Sequence, residues 1–309
     1  MYCRKCGAQI PDDSLFCPKC GTPQNVELTK KPMDQNSNSG EREILKEMKC
    51  PNCGAPLNPL AGEEIVVCQY CGTSISLSSE GWSKVKSHFI LDIRVQLKDQ
   101  ALAIARNFLD KSILHRHLYE KSRLDQLGLA YIPYWIIDAG YTAQFKYKKM
   151  EAQPGGFVAM NLGGRGGFIG PTENFQTVIE SGTDVGMVQY PVIAVENLKQ
   201  YQPPDYIFNL QNKRVIGNSD INSPVKLLNG TIGEEKARVM GKVLIQQWEM
   251  RKLQKIYHHN FLAAETSVDI SDVYLVHIPI WTAVFVHKDE KIVLMIDAHN
   301  AMVMEELKE

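Results

Sequence analysis

Hydrophobic and polar positions change period several times along the chain, and each change predicts an element. Phe89-Ile90-Leu91-Asp92-Ile93 predicts a strand, and from Lys98 to about Leu118 the apolar residues Leu102, Ala105, Phe108, Leu109 and Ile113 fall at helical spacing. Leu129 to Ile137, which contains Ile132-Pro133-Tyr134-Trp135, predicts the next strand. The same order then returns. Val225 to Leu228 is followed by a helix from about Gly233 to Tyr257, carrying Val239, Val243, Leu244, Trp248 and Leu253, and then by Val273 to Trp281 with Ile278-Pro279-Ile280-Trp281. Thr282–Val286 and Lys291–Ile296 predict a hairpin around His287-Lys288-Asp289-Glu290, a turn covers Asp297 to Asn300, and Ala301 to Met304 predicts a last strand. A proline cannot donate to a ladder, so each Ile-Pro-x-Trp segment is expected to enter its strand at an edge or at its start.

Two stretches lack periodicity. Residues 25–47 are polar and charged around Gln35-Asn36-Ser37-Asn38-Ser39-Gly40, which predicts a flexible tether. Gln153 to Gly170 is glycine-rich, but it has neither the fixed spacing of a phosphate-binding loop nor a Lys-Ser or Lys-Thr after the glycines, which predicts a surface loop.

The strongest signal is in the cysteines. All eight lie between Cys3 and Cys71, in four Cys-x-x-Cys-Gly hooks: Cys3/Cys6, Cys17/Cys20, Cys50/Cys53 and Cys68/Cys71. Such a turn aims two sulfurs at one point, and the following glycine supplies the positive φ that turns backbone N–H groups toward them. Two hooks close a tetrahedral four-sulfur site, so the spacing predicts two Zn2+ ions, one held by Cys3, Cys6, Cys17 and Cys20 and one by Cys50, Cys53, Cys68 and Cys71. Iron is the alternative, since thiolates accept both metals. Four disulfides would need an oxidising compartment, whereas Met1-Tyr2-Cys3 leaves no room for a secretion signal, so a cytoplasmic location is expected. Four thiolates fill a tetrahedron and no histidine lies between Tyr2 and Ser87, so both sites are expected to be structural rather than catalytic.

The fold class that follows is α+β. Two small zinc ribbons, 1–24 and 48–78, are joined by the linker 25–47 and followed by a body, 79–309, with a mostly antiparallel sheet and two long helices on one face. The body is expected to be pseudo-duplicated, with related halves at about 82–150 and 220–309. In the second ribbon Glu64 to Cys68 and Ser74 to Leu77 predict the paired strands.

Charge limits the reading of a nucleic-acid protein. The formal net charge is −1 before any metal is bound, each zinc held by four thiolates makes it more negative, and neither ribbon is basic. The candidate cations are Lys111, Arg116, Lys121 and Arg123 near the first helix, and Lys236, Arg238, Lys242, Arg251, Lys252 and Lys255 along the second. His115 and His117, like the adjacent His258 and His259, point to different faces of a helix and make poor ligand pairs; Asp297 and His299 are ordinary turn residents. Trp135 and Trp281, with Tyr131 and Tyr134, are candidates either for core or for a ligand groove. No apolar run reaches the length of a membrane-spanning helix.

The order of a four-cysteine ribbon (Cys50 to Cys71), a strand-helix unit, Tyr131-Ile132-Pro133-Tyr134-Trp135, a variable middle through Val188 to Tyr201, and a closing Ile278-Pro279-Ile280-Trp281 hairpin to Val303 resembles a group of uncharacterised prokaryotic zinc-ribbon proteins. Some of these are labelled as related to primosomal replication protein N′. Residues 1–24 resemble the generic short zinc ribbon that prefixes many bacterial and archaeal proteins. The resemblance implies zinc at Cys50, Cys53, Cys68 and Cys71 and a body built as one recurring module, and it implies no activity. The closing turn of that group reads like Asn-Gly-x-Thr-Gly; Ile296-Asp297-Ala298-His299-Asn300-Ala301 has neither glycine, so the turn must be built differently.

The functional expectation is a non-enzymatic zinc-binding adaptor that contacts a protein partner. One alternative is a nucleic-acid binder using the basic helix faces. The other is a small-molecule binder or enzyme with a pocket near the Ile-Pro-x-Trp strands.

Overall fold

The chain divides into two compact units, Met1–Lys46 and Glu47–Glu309. A computed structural model describes residues 48–308 apart from 79–80, 112–116, 154–156, 161–167 and 172–173. The first ribbon with Cys3, Cys6, Cys17 and Cys20, the linker, and Ile113, His115 and Arg116 lie outside the described residues.

The second unit is mixed α/β and mostly strand. Its elements are β1 (Met48–Lys49), β2 (Pro56–Leu57), β3 (Ile65–Val67), β4 (Ser74–Ser78), β5 (Gly81–Lys84), β6 (His88–Ile90), α1 (Lys98–Leu109), α2 (Leu118–Lys121), β7 (Arg123–Gln153), β8 (Phe157–Met160), β9 (Phe168–Pro171) and β10 (Asn174–Ile193). They continue with β11 (Arg214–Val215), α3 (Asn218–Ile221), β12 (Lys226–Leu227), α4 (Glu234–Tyr257), β13 (Phe261–His287), β14 (Glu290–Asp297) and β15 (Met302–Lys308). The main sheet runs β10-β7-β13-β14-β15, antiparallel throughout, with short β6 and β12 added in parallel to β13 and β7. The expected loop of Gln153 to Gly170 instead contains the β8–β9 hairpin. Three register shifts between β13 and β7 let these very long strands curl, since a bulge increases local twist.

Both prolines sit inside central strands rather than at an edge or a start, and the topology explains how. At Pro133 the neighbour of β7 changes from β10, whose final pair is Ile193 with Tyr134, to β12, which pairs at Tyr131 and Ala130. At Pro279 the neighbour of β13 changes from β6, ending at the pair His277 with Ile90, to β14, starting at Ile280 with Asp297. Each proline occupies a gap between two partner strands, where no ladder donor is required.

The bonds around the two gaps match one for one. Ala194 N–H donates to Pro133 O, and Ala194 O accepts from Thr231 and Ile232; Ala298 N–H donates to Pro279 O, and Ala298 O accepts from Arg94 and Val95. Trp135 Nε1 donates to Ile232 O (2.7 Å) and Trp281 Nε1 to Val95 O (2.8 Å), in each case just before a helix begins.

Strand alternation then separates two cores. Trp135, Ile137, Val273, Leu275, Trp281 and Ala283 share one face, on which Ala237 and Ile245 of α4 and Ala101, Ala105 and Leu109 of α1 pack. Tyr134, Ile136, Val276 and Ile278 share the other, covered by Phe208 and Leu210.

Helix α1 stops at Leu109, short of the expected Leu118. Asp110 caps it with an N–H to Arg106 O, and its carboxylate accepts Tyr119 N–H (3.1 Å), which ties the chain into α2. Helix α4 spans the expected residues, but its buried stripe is Ala237, Gly241, Ile245, Glu249 and Leu253, while Val239 and Val243 are exposed. Close approach decides this: a Cβ on Gly241 would lie 2.6 Å from Ile137 Cγ1, so small residues rather than the bulkiest apolar ones face the sheet.

Candidate metal centre

The ribbon builds its site from two copies of one local turn. Cys50 N–H donates to Ala55 O and Gly54 N–H to Cys50 O (both 2.8 Å); Cys68 N–H donates to Thr73 O and Gly72 N–H to Cys68 O (both 2.9 Å). Gly54 and Gly72 both have φ near +72°, the left-handed geometry that the Cys-x-x-Cys-Gly spacing demands. The β1–β2 and β3–β4 hairpins bring the turns together, and all four Sγ atoms lie within 4.8 Å of one another. Cys50 to Cys71 is 3.6 Å and Cys53 to Cys68 is 3.7 Å. A tetrahedral zinc with Zn–S of about 2.3 Å has sulfur–sulfur edges of about 3.8 Å, so the donor set fits zinc.

The sulfurs compete for charge. Burial raises the Cys71 thiol, but the Thr73 hydroxyl and N–H and the Asn52 amide outweigh it and bring it down to about 6. Cys53 receives the Ala55 N–H, yet burial and the three neighbouring sulfurs push it up to about 12. Four ionised thiolates coexist at this spacing only around a cation.

Ribbon and body are joined by buried polar contacts. Glu64 and Ile65 N–H both donate to Gly230 O, Gly230 N–H returns to Ile65 O, and Asn229 Nδ2 donates to Glu63 (3.0 Å). Glu64 accepts Gly233 N–H (2.6 Å), which places a carboxylate at the N-terminus of α4, where the exposed N–H groups favour negative charge. A chain of bonds then runs from ribbon to sheet: Ser74 Oγ lies 3.2 Å from His88 Nε2, His88 Nε2 lies 2.8 Å from His277 Nδ1, and His277 Nε2 lies 3.0 Å from Leu228 O. A carbonyl only accepts, so His277 carries its proton on Nε2, its Nδ1 accepts, and His88 donates from Nε2. Burial holds both imidazoles neutral, lowering His277 to about 4 and His88 well below the ordinary histidine range, the latter also through the proximity of His277.

Sequence reading missed this pair, and it missed the cluster between α4 and the sheet. Glu249 is fully buried, and Lys252 reaches it (3.1 Å), Asp184 and the Tyr141 hydroxyl (2.9 Å). Burial and the Asp184 carboxyl raise Glu249 to about 7. A carboxylate on the buried stripe of a helix, three residues before a lysine, was the available signal.

The remaining candidates find ordinary places. Trp135 and Trp281 are buried with their indoles bonded, so of the two readings of these aromatics, core or ligand groove, they take the first. Clefts of about 670, 240 and 530 Å3 lie elsewhere: between Leu60 and Lys226, beside Cys71 and Ser87, and over Gln144 and Thr183. Of the basic residues, Lys236 bonds Glu196 (3.0 Å), Arg238 bonds Glu234 (2.8 Å), Arg251 and Lys255 share Asp205 (2.9 and 2.5 Å), and Arg123 lies 3.5 Å from Asp125. His117 is exposed beside Glu120, and His258 and His259 are exposed at the end of α4. Asp297 is buried and builds the closing turn without glycine: its carboxylate accepts N–H from His299 (2.8 Å) and Asn300 (3.0 Å), and Ala301 takes a φ of +58°.

Fold and site together define a zinc-ribbon metal centre mounted on a curled, mostly antiparallel α/β sheet. Independently, residues 2–24 match the family model for a zinc-ribbon domain. No curated protein and no solved structure matches the chain. No helix among the described residues is long and apolar enough to cross a membrane.

Proposed function

We propose that the protein is a zinc-binding adaptor that contacts a protein partner in the cytoplasm and carries out no catalysis. The observation that carries this reading is the ribbon's outer surface, where Tyr70 is 66% and Leu60 is 72% exposed. Tyr70 sits on a knuckle held by its metal ligands and backbone bonds, and a rigid exposed aromatic is the usual anchor of a protein contact. Four sulfurs leave no open coordination position for a substrate. The pairing of Lys236, Arg238, Arg251, Lys252 and Lys255 of α4 with carboxylates disfavours the nucleic-acid alternative, because paired charges release few counterions.

A second zinc at Cys3, Cys6, Cys17 and Cys20 completes the proposal, with residues 25–47 as a tether that raises the local concentration of the first ribbon once the rest is docked. The repeated bonds at Pro133 and Pro279 support reading the body as two related halves. The test is the metal content, native mass and 260 nm absorbance of protein purified without added metal. Two zinc ions, no nucleic acid, and a stoichiometric protein companion that is lost on Tyr70→Ala with Leu60→Ser are expected. Nucleic acid released by salt, or retention of the companion in that variant, overturns the reading.

A further inference from the structure

The long path of the sheet ends in β10 on one side and β15 on the other, and the two are finished differently. β15 is short, carries Glu305, Glu306 and Lys308, and is offset from β14 by a register shift, all devices that discourage further pairing. β10 is 20 residues long, and its only charged residues are Glu180 and Asp184. From Phe175 to Gln189 it contains no Lys, Arg or Pro, and its register with β7 is unbroken.

Hydrogen bonding fixes which groups this edge presents. Ala194 N–H donates to Pro133 O, so even-numbered residues of β10 face β7 and odd-numbered residues face outward. Gln202 confirms the parity, because its side-chain amide accepts Ile193 N–H (2.7 Å) and donates to Pro191 O (2.8 Å), occupying the place of an added strand. Beyond Gln202, no strand among the described residues pairs with the outward groups of Phe175, Thr177, Ile179, Ser181, Thr183, Val185 and Met187; Val185 N–H also reaches the adjacent Asp184 carboxylate. The side chains of Phe175, Ile179, Val185 and Met187 are each more than half exposed.

We infer that β10 pairs antiparallel with β10 of a second copy of this chain, about a twofold axis through Ser181. This surface is separate from the ribbon and the inference goes beyond the adaptor reading. In that register Phe175 opposes Met187, Thr177 opposes Val185 and Ile179 opposes Thr183, so each exposed apolar side chain meets an apolar or methyl-bearing one, and about fourteen ladder bonds form. Charge is complementary to self-pairing. The strand's two acids are already held in their own chain, Glu180 by Lys149 and Asp184 by Lys252, and Glu180 falls opposite Gly182 rather than another acid. A strand from a basic partner would find no free acid there. The twofold consumes both open edges, so assembly closes at two chains.

The test is native mass of the full zinc-loaded chain over a dilution series. Twice the chain mass of 34.9 kDa is expected at the concentrated end. Thr183→Pro deletes an outward N–H that the β7 ladder does not use, and is expected to halve the mass with zinc content and far-UV spectrum unchanged, while Thr183→Ala stays double. If Thr183→Pro fails to fold, Ile179→Lys with Val185→Lys gives the same readout from exposed side chains. A wild-type chain that is single at every concentration overturns the inference in favour of some other occupant of the edge. A folded edge variant that stays double, or a wild-type assembly larger than two, also overturns it.

Discussion

The surroundings of Pro133 and Pro279 share the same set of backbone and tryptophan bonds, yet only one of them carries the ribbon. Across the β7–β13 ladder Pro133 faces His277 and Pro279 faces Tyr131, and His277 is the residue that reaches through His88 to Ser74 of the ribbon. The helices differ in the same way. α1 begins with a local cap, Gln100 Oε1 accepting Leu97 and Gln96 N–H (both 3.1 Å), whereas α4 begins on Glu64 of the ribbon. A helix of 24 residues has its first turn secured by a segment more than 160 positions away, while the helix of 12 residues secures its own. The comparison teaches that the metal site is a staple for one side of the body and not for the other.

Metal removal breaks the comparison most strongly. Structural zinc contributes about 10 kcal/mol or more to folding its own small domain. Chelation, or Cys68→Ser, is expected to abolish amide-exchange protection in residues 48–78 and to weaken it at Gly233 to Ala237, while the start of α1 keeps its protection. Equal loss at both helix starts would dissolve the distinction. Next come the tryptophans. Trp135→Phe and Trp281→Phe each leave a buried carbonyl, of Ile232 or Val95, without its donor, at a cost of about 1–3 kcal/mol in urea unfolding. Similar costs in the two variants are expected if the surroundings of Pro133 and Pro279 are equivalent; a large asymmetry would mean that only one indole bond carries weight.

The smallest effect concerns protons. An unfolded chain binds protons on His88 and His277 near pH 6.5, whereas the folded chain refuses them until far lower pH. Stability conferred by the neutral pair is therefore complete above about pH 6.5 and falls as pH drops toward about 4, by at most about 1.4 kcal/mol per pH unit for each proton. Urea midpoints measured across this window are expected to show a shallower slope in His277→Gln, with Tyr131→Phe, the matching position, leaving the slope unchanged.

Much of this was legible without coordinates, but unevenly. The hooks at Cys50/Cys53 and Cys68/Cys71 were readable because a ligand turn is a local object: five residues contain the whole geometry, glycine included. The extent of α4 was readable for the same reason. Its buried face was not, since hydrophobicity points to Val239 and Val243, and contact with Ile137 selects Gly241 instead. Nor could a window of sequence place Pro133 and Pro279 inside central strands, because the gap that tolerates them is made by β10, β12, β6 and β14 arriving from elsewhere. The closing turn shows the limit most plainly: the missing glycines were visible, while the Asp297 carboxylate that replaces them had read as an ordinary turn residue.

By itself, then, the sequence determined the four-sulfur donor set at Cys50, Cys53, Cys68 and Cys71 and the strands and helices around the two prolines, since these depend on neighbours within a few residues, while the β8–β9 hairpin and β10 escaped it. Tertiary structure alone decided that His88 and His277, 189 positions apart, share a proton arrangement, that α4 starts on the ribbon, and that β10 keeps an open edge. Those outcomes depend on which distant strands pair, and pairing is settled by the burial and hydrogen bonding of the whole sheet rather than by any one stretch of it.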